Sequence, residues 1–242
     1  MSPTTAETTS AGALATGAMA SLVGSLADNK AALGRRYAEW AVSAPTLESA
    51  VAAAAMAQDE LGHARSTYPV LKQLGVETAE EDVGGGRRLA LLDDELPDWT
   101  AFIAANLLVD GVLTTFVAAC AGSSLTQLAQ RARKILQEEG THRVHAEAWA
   151  RRLCRAGGRE RDGLVARLRA TWEEAGRWTG PDDDPGFRAA MASGMVAQSP
   201  AQQRALMRSW LVALLGAEGV EIALPEPTDW SRWDAGLRRW SP

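Results

Sequence analysis

Histidine is scarce in this chain: 242 residues hold three, His63, His142 and His145. Cysteine is scarcer still. Cys120 and Cys154 show neither metal-ligand nor redox spacing, which argues against a thiolate metal site or a disulfide framework. Both fall in helical stretches and read as buried thiols, in keeping with a reducing cytoplasm. No stretch reaches the roughly 18 consecutive apolar residues that a membrane span needs, so no membrane segment is expected. The first 20 residues lack Lys and Arg, unlike a signal peptide, and the opening stretch reads as floppy. An excess of basic charge is absent too. A net charge of -5 and a pI near 5.3 argue against a general nucleic-acid or acidic-membrane binder. No strand pattern stands out anywhere.

What is present is helical periodicity in a chain 46% hydrophobic and 23% charged, the balance of a soluble domain with its own core. Leu22, Leu26, Leu33 and Tyr37 predict a first helix over 18–42, which Pro45 stops. Thr46 suits the cap of a second over 47–74, ended by Gly75. A long connection follows from Val76 to Leu96, with a helical turn expected over Arg87 to Asp94. Pro97 suits the first turn of a very apolar third helix to about Ala121, and the fourth runs over 124–155. Helix, turn, helix, long crossover, helix, turn, helix is the order of an all-α, ferritin-like four-helix bundle. The expected division is a flexible start over 1–15, the bundle over 16–156, and a helical extension over 157–242. That extension holds helices near 159–178, 187–197 and 201–215. Six of the nine Trp lie after residue 170 and predict packing on the bundle, or else a partner surface.

Two of the three histidines close the same motif, Glu60-Leu61-Gly62-His63 and Glu139-Gly140-Thr141-His142. Three residues apart on a helix, a carboxylate and an imidazole share one face and can grip one ion. Such ligands suit iron or manganese, and bundles that hold two metals use two Glu-x-x-His motifs with one carboxylate from each remaining helix. Asp110 is the lone charged residue between Ala101 and Gln130, costly there unless paired or metal-bound. With a rise of about 1.5 Å per residue, Glu60, Asp110 and Glu139 all stand about 20–24 Å from their nearest turns, level within one helical turn. On the first helix that level falls on Lys30. Glu39 is about 13 Å off level, and Asp28 points to another face.

At these residues the chain resembles the ferritin-like subunits of bacterial phenylacetyl-CoA epoxidase. The matching stretches are Ala44-Pro45-Thr46-Leu47, Gln58 to His63, Leu108-Val109-Asp110-Gly111 and Glu138 to His142. The likeness covers about Asp28 to Arg155. The intact Glu-x-x-His pairs are similar to the catalytic subunit. Asp28-Asn29-Lys30, Leu33 to Arg36, Glu39-Trp40 and His145 to Trp149 are more similar to its catalytically silent sister. The resemblance implies metal ligands at Glu60, His63, Asp110, Glu139 and His142, with catalytic roles for Glu60 and Glu139. It puts the first-helix ligand Glu at Lys30, whose ammonium is expected to pair with Glu60 or Asp110 and replace one cation. The resemblance implies two irons, with manganese as the alternative metal, and the ammonium is expected to weaken binding, toward one ion instead of two.

The leading expectation is a non-haem di-iron oxygenase subunit acting on an aryl or acyl-CoA thioester. It implies a sister subunit or homodimer and a reductase, with no nucleic-acid or membrane partner. The alternatives are a structural subunit without chemistry, for which Lys30 speaks, or a stand-alone ferritin-like protein handling metal or peroxide. Arg35-Arg36, Arg87-Arg88 and Arg151-Arg152 read as solvated faces, and no CoA site is legible.

Overall fold

The computed structural model describes residues 5–76 and 86–240, with side chains from Ser10 onward. Its first helix, α1 (Thr5–Trp40), starts well before the predicted Ala18. Packing explains the extension. Ala15 and Met19 are buried, and α8 (Pro185–Ala192) packs on α1. Helix α2 (Leu47–Thr67) is capped by Thr46, whose Oγ1 accepts from the Ser49 N–H at 3.2 Å. The predicted single helix to Leu74 is broken into α2 and a short α3 (Val70–Gln73), because Pro69 has no N–H to continue the ladder.

Part of the crossover, 77–85, lies outside the described residues. Of the helical turn expected over Arg87 to Asp94, only a 3-10 turn at Ala90–Leu92 forms. Asp98, not Pro97, opens the third long helix; its Oδ1 accepts from the Ala101 N–H at 2.8 Å. That helix has three parts: α4 (Trp99–Ala104), a π-helical segment (Ala105–Asp110) and α5 (Gly111–Ala119). The fourth is α6 (Thr126–Ala156). These long helices form the all-α, ferritin-like bundle.

The extension adds α7 (Gly158–Ala175), α8 and α9 (Pro200–Gly216). Helix α7 packs on α4 and α6, and α9 on α5 and α6. Trp172 and Trp178 are buried, and Trp178 Nε1 donates to Ser25 Oγ at 2.9 Å, so these aromatics serve packing. The expectation of no strands needs one correction: β1 (Trp233–Asp234) pairs antiparallel with β2 (Arg239–Trp240). Two residues per strand are too few for an alternating pattern to register. The turn forms because Asp234 Oδ1 accepts from the Gly236 and Leu237 N–H groups, each at 2.8 Å.

A second correction concerns apolar length. Ser10–Trp40 and Trp99–Ala119 are long and apolar enough to cross a membrane by length and composition. Isolated charges such as Lys30 and Asp110 interrupt an unbroken apolar run, yet leave the mean hydropathy high. In the second stretch 78% of the apolar window is buried inside the fold.

Candidate metal centre

Four bundle elements each send one ionic side chain inward: Lys30 from α1, Glu60 from α2, Asp110 from the π segment and Glu139 from α6. Close helix approach allows this. A Cβ at Gly34, one turn beyond Lys30, would meet Leu61 Cγ at 2.9 Å and both Ala57 O and Glu60 Cβ at 3.1 Å. Gly34 therefore lets α1 press against α2 at the level of Glu60. The π segment, a local widening of a kind frequent at functional sites, buries Asn106 and Asp110 together.

Lys30 Nζ donates to Glu60 Oε1 at 3.0 Å, Asp110 Oδ1 at 2.7 Å and Glu139 Oε1 at 2.5 Å. Its three ammonium protons thus meet three carboxylates, one per helix. Burial alone would lower the Lys30 pKa; the charges of Asp110, Glu139 and Glu60 reverse that and hold it well above the usual lysine value. Burial also pushes Glu60 up to about 7, with Asp110 adding to the rise and Lys30 opposing it. On Asp110 burial is outweighed by Lys30 and His142, and the group lies well below the usual carboxylate range.

Both motif histidines reach the cluster. His142 Nδ1 lies 3.1 Å from Asp110 Oδ2, 3.3 Å from Glu60 Oε1 and 3.4 Å from Glu139 Oε2. His63 Nδ1 is 3.2 Å from Glu139 Oε1 and 4.0 Å from Glu60 Oε1, without the angle of a hydrogen bond. With carboxylates at both nitrogens His142 is imidazolium. Burial opposes that charge, but hydrogen bonds to Asp110 and Glu60 push its pKa up to about 11. His145 stays outside: its Nδ1 lies 3.4 Å from Asn106 Oδ1, and its ring packs edge-on against Trp99 and Phe102.

Sequence reasoning missed Asp59, Glu138 and Asn106. His63 Nε2 lies 2.9 Å from Glu138 Oε2 and His142 Nε2 lies 3.3 Å from Asp59 Oδ2. The acid preceding each motif therefore serves the histidine of the other motif. Their adjacency to the motif Glu was the available signal. Asn106 Nδ2 donates to Asp110 Oδ2 at 3.3 Å; its place depends on the π segment, which no local pattern announces. Glu39 is exposed and paired with Arg36, while buried Asp28 accepts from Tyr68 and Arg87, both away from the cluster.

Ligand atoms of Glu60, Asp110, Glu139 and His142 lie within 4.8 Å of one another, a buried set able to hold a metal ion. His63 is outside that tightest set. Among the described residues, Glu60 Oε2 and His63 Nδ1 are buried without hydrogen-bond partners and remain as ligand atoms. Lys30 already offsets part of the cluster's negative charge. Three carboxylates and one ammonium leave two negative charges, which one divalent ion neutralises with His142 as a neutral ligand.

An all-α ferritin-like bundle with a buried carboxylate–histidine cluster defines the class. Within it, the chain belongs to the phenylacetic acid catabolic protein family, whose profile matches residues 1–241. Comparison with curated proteins gives no match.

Proposed function

We propose that this chain is a non-catalytic subunit of a multicomponent oxygenase in phenylacetic acid catabolism, paired with a sister ferritin-like subunit. The family supports the pathway, and one observation carries the role: Lys30 Nζ is hydrogen-bonded to Glu60, Asp110 and Glu139 at once. An ammonium among the carboxylates does electrostatically what a cation would do, and brings no redox chemistry. The proposed setting is the cytoplasm, with Cys120 and Cys154 as free thiols.

One feature favours the oxygenase reading, in which the chain itself holds iron and a reductase supplies electrons. The four-residue donor set with His142 is intact, and Glu60 Oε2 and His63 Nδ1 are unspent. Iron bound per chain after anaerobic ferrous loading separates the two. Less than one tightly bound iron supports the non-catalytic role; one or two tightly bound irons would overturn it.

A further inference from the structure

We propose that the outer face shared by α2 and α6 is a self-association surface, on which a second copy of this chain docks about a two-fold axis. Composition sets α2 apart. From Ser49 to Gln58 it carries no charged residue, a stretch of about 15 Å. Its inner side chains are buried, yet Leu47 is 77% and Val51 63% exposed, and Ala54, Ala55 and Gln58 face outward as well. A helical stretch that is apolar on every side belongs inside protein, and one side of this one is bare.

Helix α6 continues the bare surface. The two helices lie side by side and antiparallel: Trp149 Nε1 donates to Ser49 Oγ at 3.0 Å, and His142 Nε2 meets Asp59 Oδ2 at 3.3 Å. Val51 and Ala55 therefore stand level with Ala148 and Val144. Val144 is 69% exposed, and Thr141 and Ala148 share its exposed face at helical spacing. The intervening charges turn away, since Arg143 and Glu147 pair on the α9 side, where Glu147 also accepts from Trp210. Across two helices of about 10 Å each, the uncharged centre covers roughly 300 Å², the scale at which exposed apolar surface marks a contact site.

Charge names the occupant. At one end of the face Arg152 stacks 4.6 Å from the Trp149 ring centroid and, among the described residues, has no carboxylate partner. At the other end the Asp59 side chain is 39% exposed and, among the described residues, has no Lys or Arg partner. Glu138 beside it is already taken by Lys134 and His63. Arg152 stands about 10 residues, roughly 15 Å, from the level of Asp59, and the uncharged patch lies at the midpoint. A copy turned about that midpoint sets Arg152 of each chain against the partner's Asp59, with the apolar side chains meeting between them. An isologous pair requires this self-complementarity, and a stacked guanidinium is held ready for a planar carboxylate.

Sedimentation equilibrium of the metal-free, full-length chain over about 1–200 µM tests this. A monomer–dimer equilibrium with a Kd of about 1–50 µM is expected, weak because the patch is smaller than a standard interface. Val51→Asp should weaken it at least about 30-fold. Val212→Asp, at an exposed valine of α9, should leave it unchanged. Arg152→Asp and Asp59→Arg should each weaken it about 3- to 10-fold, and the two together should restore it. Circular dichroism checks each fold; if Asp59→Arg unfolds, loss of the wild-type salt dependence in Arg152→Asp replaces the swap. A monomer at about 200 µM, a dimer indifferent to Val51→Asp, or equal loss with Val212→Asp overturns the proposal. Because no iron is present, the outcome is independent of the iron-loading test.

Discussion

Glu138 stands 2.9 Å from the Nε2 of His63, across the bundle from its own motif partner. A proton shared there leaves His63 Nδ1 turned toward Glu139 and Glu60, the orientation a ligand needs. Asp59 does the same for His142 Nε2 at 3.3 Å. The two motifs are thus cross-braced, each orienting the histidine of the other.

That bracing is testable where metal binds. In a Lys30→Glu background, which supplies the missing carboxylate, iron stoichiometry should rise toward two per chain. Adding Glu138→Ala should then weaken ferrous binding about 10- to 100-fold. Glu138 is partly exposed, so the fold should tolerate the loss. Unchanged iron affinity would mean that Glu138 is only a surface partner.

Removing the ammonium leaves three buried carboxylates with only the His142 imidazolium to offset them. Lys30→Met should lower unfolding free energy in urea by about 3–5 kcal/mol, the usual cost of breaking a buried ion pair. Manganese or ferrous ion should restore part of the loss in the variant and do little for wild type. A Lys30→Met protein as stable as wild type without metal would contradict the role given to Lys30.

Gly34 sets the spacing of α1 and α2. Gly34→Ala forces contacts of 2.9–3.1 Å with Leu61, Ala57 O and Glu60, two of them on atoms with little freedom to move. Overpacking of this kind costs about 1–3 kcal/mol. Gly34→Ala should lower the melting temperature, whereas Gly62→Ala, where a Cβ meets nothing within 4 Å, should hold or raise it.

Glu174 carries a pH signature outside the cluster. Burial pushes its pKa from the ordinary 4.5 up to about 7, although its carboxylate accepts from the Leu91 N–H at 2.9 Å and from the Ala90 N–H. The folded chain therefore holds this proton more tightly than the unfolded chain. Its stabilising share is complete below about pH 4.5 and is lost as pH rises through about 7. Glu174→Gln should match wild type near pH 4.5 and melt progressively higher than wild type toward pH 8. A constant difference between the two melting curves would reject this.

Much of the cluster was legible because chemistry and spacing agreed. Two Glu-x-x-His motifs, a lone Asp110 in an apolar helix, and axial levels counted from the turns at Pro45 and Ser123 led to Glu60, Asp110, Glu139, both histidines and Lys30. Asn106 was not legible, since the π segment that carries it is set by packing and not by local preference. The break at Pro69 was readable, since proline has no N–H to continue a helix. The hairpin at Trp233 was too short for periodicity to report, and the early start of α1 depends on α8, some 170 residues later in the chain.

Lys30 has a further consequence, for the order of assembly. Its partners Glu60, Asp110 and Glu139 follow it by 30, 80 and 109 residues. During synthesis at about 5–20 residues per second, the last carboxylate arrives roughly 5–20 s after the lysine. Until then α1 cannot bury that ammonium against its full set of counter-charges, so the cluster is a late-closing seam. A nascent chain halted before α6 should leave Lys30 open to amine-modifying reagents that the finished protein excludes.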